Sequence, residues 1–162
     1  MKDRTNDSPR DSSLAQKLAM LFGLTFVAAG VAGFIPGITT NLYDGLEFAG
    51  NDGDAELLGL FKVSILHNIV HALFGVGILA AKRHASSLKY LLYAGIAYVV
   101  LFLMGIIDAG DWVPINNGDD VLHAGLALAL LGVWAAARGA DKPATGSGRR
   151  LELDRDEPRA TV

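Results

Sequence analysis

The sequence contains no cysteine, which excludes structural disulfides, thiolate metal sites, iron–sulfur clusters, covalently attached haem and a lipid-modified cysteine. Any metal or cofactor would have to be held by nitrogen or oxygen. Charge is also scarce. Asp, Glu, Lys and Arg make up 19% of the 162 residues, against 51% hydrophobic, a balance rare in soluble domains of this size. Neither a phosphate-binding glycine loop nor a nucleophile elbow, zinc-protease helix or dinucleotide fingerprint occurs. Nothing combines basic and aromatic residues in the manner of a nucleic-acid site. With no catalytic motif, the sequence reads as non-enzymatic.

What the chain does have is long apolar runs. A bilayer core about 30 Å thick needs roughly 20 apolar helical residues, and four segments qualify: 18–35, 57–81, 88–107 and 121–137. Pro36-Gly37, Asn51-Asp52-Gly53-Asp54 and Asn116-Asn117-Gly118 punctuate the chain between and beside them. The first run is longer than a signal-peptide core and lacks a small-x-small cleavage pattern, so it reads as a retained span. The expected fold is all-α, a bundle of four transmembrane helices over 14–138, between disordered cytoplasmic tails at 1–13 and 139–162.

Charge placement sets the direction. Of the 14 Lys and Arg, all but Lys62 fall in the amino-terminal segment, the second loop or the carboxy-terminal tail. The first and third loops carry Asp44, Glu47, Asp52, Asp54, Glu56, Asp108, Asp111, Asp119 and Asp120 and no basic residue outside the apolar runs. By the positive-inside rule both termini are cytoplasmic, in a plasma (inner) membrane, and the acids face outward. Tyr90, Tyr93, Trp112 and Trp134 suit interfacial anchoring.

A weak repeat runs through the spans. Lys17 and Lys89 each open an inward-to-outward span, with Gly23 and Gly95 at the sixth position and Gly33 and Gly105 at the sixteenth. His67 and His123 each precede a basic residue, Lys82 or Arg138, by fifteen positions. Two duplicated helical hairpins would give this pattern. Ala19-xxx-Gly23, Ala29-xxx-Gly33 and Gly75 with Gly77 mark expected close helix approaches.

The second apolar run carries a polar stripe. Ser64, His67, Asn68, His71 and Gly75 share one helical face, which should line the bundle interior opposite His123 and Thr25. The bland reading is that these side chains hydrogen-bond between helices and fix register. Three sharper readings compete with it: a divalent metal on His67, His71 and His123; a b-type haem between His67 and His123; or a proton relay towards Asp119 and Asp120. No cofactor is the default. Lys62 is expected to snorkel outward from the second span or to pair with Asp108 or Asp120. Asp119 and Asp120 stand where a helix amino terminus favours carboxylates.

The stretch Phe61-Lys-Val-Ser-Ile-Leu-His67-Asn68-Ile-Val-His71-Ala-Leu-Phe-Gly75, combined with Asn117-Gly-Asp119-Asp120-Val-Leu-His123, resembles a family of small four-helix membrane proteins common in actinobacteria and known only as a domain of unknown function. The resemblance covers about 14–138. It implies a bacterial plasma-membrane location and four spans, and it brings no activity. The leading expectation is a structural or accessory component of a larger membrane assembly, or a homo-oligomer, embedded in lipid and without nucleic acid. The alternative is a small haem-binding, metal-binding or proton-relay module built on the intramembrane histidines.

Overall fold

The computed structural model describes residues 12–107 and 113–140. The expectations for Asp108, Asp111, Trp112 and the two tails, apart from Ser12, Ser13, Gly139 and Ala140 at their inner edges, lie outside the described residues. The fold is mostly helical. Helix α1 (Leu14–Ala32) opens on a capping box, in which the Ser13 hydroxyl accepts from the Gln16 backbone and the Gln16 side chain accepts from Ser13 N–H at 3.0 Å. A small antiparallel sheet follows, formed by β1 (Thr39–Thr40), β2 (Glu56–Leu57) and β3 (Phe61–Lys62), with the short helix α2 (Leu42–Gly45) between β1 and β2. Then come α3 (Ile65–Phe74), α4 (Gly77–Ala80), α5 (His84–Ile106) and α6 (Asn117–Ala140).

Helices α1, α5 and α6 are each long and apolar enough to cross a membrane; α3 and α4 together form a shorter apolar segment, Ile65–Ala80. This corrects the expected second span at both its start and its continuity. Residues 57–64 are apolar enough to read as membrane helix, yet they form a hairpin. Leu58 and Gly59 both adopt positive φ, 57° and 66°, and Leu57 pairs with Phe61 across the turn and with Thr39 on the other side. Ser64 then caps α3, its hydroxyl accepting from His67 N–H at 3.2 Å. Within the apolar segment the chain breaks at Gly75. The Tyr90 hydroxyl reaches in from α5 and donates to the carbonyl of Phe74 at 3.1 Å, meeting an acceptor that the interrupted helix leaves open. Tyr90 is therefore a buried helix-end partner rather than an interfacial anchor, while Tyr93 is 66% exposed.

Packing follows the small residues. α1 lies against α3 and α4, and α5 lies along α6 in the most extensive contact of the fold. A Cβ at Gly23 would meet the backbone of Gly77 and Ile78, and one at Gly30 would meet the backbone of Asn68 and Ala72. Such approaches require glycine. At the centre, Phe26 of α1 stacks on Tyr98 of α5, ring centroids 5.5 Å apart at 18°. These two positions are equivalent in the register that aligns Lys17 with Lys89.

Candidate functional site

Ser64 is 1% exposed, and its cap places His67 in the first turn of α3, with His71 one turn later on the same face. The two imidazoles stack, centroids 4.5 Å apart at 19°. His71 meets the edge of Phe26 at 5.9 Å. From the facing helix α6, His123 is buried to 1% exposure, its ring 5.4 Å from that of Tyr98. The structure thus brings His67, His71 and His123 together around shared space. They line a cavity of about 170 Å³ with Ser64, Phe74 and Tyr98. The same three rings, with Asn68 and Asp119, line a second cavity of about 200 Å³ that reaches the β2–β3 hairpin at Leu58.

No hydrogen bond among the described residues uses a ring nitrogen of any of the three histidines. Nδ1 of His123 and Nδ2 of Asn68 are fully buried without a partner. The expected interhelical hydrogen bonds are therefore absent among the described residues. Asn68 lies against Gly33, where any Cβ would overlap its side chain. Thr25, expected opposite the stripe, is exposed and donates instead to the carbonyl of Leu21 at 3.0 Å.

The two acids in the first turn of α6 divide in role. Asn116 and Asp119 form a reciprocal cap at the start of α6: Asn116 Oδ1 accepts from Asp119 N–H, and Asp119 Oδ2 accepts from Asn116 N–H, each at 3.0 Å. The same Oδ2 accepts from the backbone N–H of Lys62 at 3.0 Å. Asp119, 2% exposed, therefore ties the sheet to α6 and also borders the histidines. Asp120 packs over Gly105, with Oδ1 buried and unpartnered. Lys62 belongs to β3 rather than to a span, and its ammonium donates to the carbonyl of Asn51 instead of pairing with Asp120.

No three His, Asp or Glu side chains among the described residues are placed to hold a metal ion. The cavity between His67 and His123 lies below the ~300–1,000 Å³ of pockets that take drug-sized ligands, which is too little for a porphyrin between two axial rings. The arrangement offers hydrogen-bonding nitrogens in an apolar, ring-walled space. Tyr98 is the participant that the stripe did not reveal. Its signal was the repeat register, which sets a tyrosine at the level of Phe26.

Residues 16–136 match the family model of a domain of unknown function, DUF4383, and the chain belongs to that family. No curated protein and no solved structure matches it.

Proposed function

We propose that this family member is a four-pass plasma-membrane protein with both termini cytoplasmic, working as a small binding module whose ligand sits among His67, His71 and His123. The fourth crossing is the broken segment α3–α4. At ~1.5 Å per residue it covers roughly 24 Å, and the residues flanking it supply the remainder of a ~30 Å core. The two hairpins, α1 with α3–α4 and α5 with α6, are read as a duplicated pair. One observation carries the binding reading: three imidazoles from two helices, that of His123 buried and those of His67 and His71 half-buried, line one cavity, and among the described residues not one of their ring nitrogens has a hydrogen-bond partner. A structural role would spend those nitrogens on interhelical bonds. A polar group buried without a partner costs about 1–3 kcal/mol, and folds retain such costs where a ligand repays them.

The test is thermal stability of the ligand-free protein in detergent. His67→Leu, His71→Leu and His123→Leu keep the side-chain volume close while removing the unpartnered polar atoms. Each is expected to raise Tm by about 2–4 °C per kcal/mol regained. A fall in Tm for all three would show that the imidazoles hold the bundle together and would end the reading.

A second reading, the structural or accessory subunit, has its own support. Gly125, Ala129, Gly132, Ala136 and Gly139 form one exposed line on α6, and among the described residues no neighbouring atom lies within 4 Å of a Cβ built at any of its three glycines. Small residues of this kind let a membrane helix approach closely. Copurification in mild detergent tests it. A Gly132→Leu chain that retains every partner of the wild type would argue against that face as the contact.

A further inference from the structure

The histidine cavity continues beyond the imidazoles. Val70 and Phe74 line it and also line a longer apolar groove of about 500 Å³, walled by Leu73, Val76, Tyr93 and Ala94. The groove follows from the packing: α3 rests on α1, the segment breaks at Gly75, and α5 gives most of its contact to α6. Leu73, Val76 and Tyr93 are each more than half exposed, so the groove opens on the face that the bundle turns to lipid.

We propose that cavity and groove together bind a lipid-soluble quinone, its ring among the histidines and its hydrocarbon chain along α3–α4. The inference rests on the binding reading above and names its ligand class. Four features select it. The cavity is walled by the rings of Phe74, Tyr98, His67 and His71, which offer stacking faces to a flat ring. Its volume admits a single ring, with the substituents left to the groove. The polar groups are imidazole nitrogens and hydroxyls, which donate to the carbonyls of a quinone and accept from the hydroxyls of a quinol. Neither cavity nor groove is lined by Lys or Arg, and Lys62 is committed to Asn51, so an anionic phospholipid head finds no counter-charge. The groove then adds about 0.8 kcal/mol for each methylene it removes from water.

The experiment uses the full chain in lipid nanodiscs, labelled with ¹⁵N-histidine, titrated with decyl-substituted benzoquinone, with chainless tetramethylbenzoquinone and with decanol. The decyl quinone is expected to shift the ring resonances of His67, His71 and His123 saturably, the chainless quinone to do so more weakly, and decanol to leave them in place. Leu73→Trp obstructs the groove at a position that lines it but not the histidine cavity and is 67% exposed, where a larger side chain leaves the core intact. It is expected to weaken the decyl quinone about tenfold, a loss of 1.4 kcal/mol, and the chainless one little. Equal shifts from decanol, no saturable shift from either quinone, or a Leu73→Trp chain that binds the decyl quinone as the wild type does would each overturn the proposal. The leucine variants separate the two failures: raised Tm without quinone binding removes the ligand class alone, while lowered Tm removes the site.

Discussion

Among single residues, Asp119 joins two elements of the fold. One carboxylate oxygen accepts from two backbone N–H groups, Asn116 at the start of α6 and Lys62 in β3, so a single side chain both caps a helix and fixes the sheet to it. Loss of a cap costs about 0.5–2 kcal/mol, and the Lys62 N–H would lose its acceptor as well. Asp119→Ala is therefore expected to lower stability by roughly 2–4 kcal/mol. Asp119→Asn, which keeps one oxygen acceptor, should cost about half as much. Denaturation of both variants in detergent, alongside hydrogen exchange of the Lys62 amide, checks this. Protection of that amide unchanged in Asp119→Ala would show that the sheet is held by its strand pairing alone. The acid was legible in the sequence as a helix-start residue. Its bond to Lys62 was not, because the partner lies 57 positions away in a segment whose apolar letters read as membrane helix.

Among elements, the three long helices were readable because run length and scarcity of charge are local properties, and a membrane span is defined by both. The second apolar run failed that test in an instructive way. Leu57, Leu58, Leu60 and Phe61 look like lipid-facing residues, but their backbone is set by pairing with Thr39 and Thr40 and by a turn through positive φ at Leu58 and Gly59. Distant partners decide both. Gly75 and Gly77 were legible as places of close approach, and they serve as such against Val27 and the Tyr90 ring; the helix also breaks there, and the carbonyl of Phe74 is met by the Tyr90 hydroxyl from elsewhere in the chain. The stripe at His67 and His71 came through because a spacing of four is intrinsic to a helix, whereas Ser64 proved to be its cap. Not all glycines bear the same load. At Gly30 a methyl group would meet Asn68 O at 2.5 Å and Ala72 N at 2.7 Å, both backbone, whereas at Gly132 nothing lies within 4 Å. Gly30→Ala should force α1 from α3 at a cost of about 1–3 kcal/mol; Gly132→Ala should be neutral or slightly stabilising in the isolated chain. Paired melting curves decide it, and a Gly30→Ala protein as stable as wild type would mean the two helices can slide apart without penalty.

At the level of the whole molecule, the two ends of the bundle differ in charge, and hydrogen bonds fix which segments share an end. Ser13 meets His84 at 2.8 Å and Gln16 donates to the carbonyl of Ala81 at 2.9 Å, so the start of α1 and the α4–α5 turn lie together. They are neighbours of Lys17, Lys82, Arg83 and Lys89 in sequence. At the opposite end, Asp119 joins the sheet to the start of α6 beside Glu56, Asp54 and Asp44. The positive-inside rule predicts that such a molecule lies with its Ser13 end in the cytoplasm. The lack of native cysteine turns this into a clean measurement, since one introduced thiol is the only one present. Asp44→Cys and Asp54→Cys place it at exposed positions near the acidic end, and Ser12→Cys and Ala85→Cys at exposed positions near the basic end. In intact cells an impermeant maleimide should label the first pair and leave the second untouched until the membrane is opened. The reverse pattern would invert the topology. Labelling of Ser12→Cys together with Asp44→Cys would leave α1 no crossing at all, because α1 is the only helix of spanning length between them. Labelling of Asp54→Cys together with Ala85→Cys would do the same to α3–α4, and that pair is the sharper trial, since this segment alone is too short to span without help from the hairpin before it.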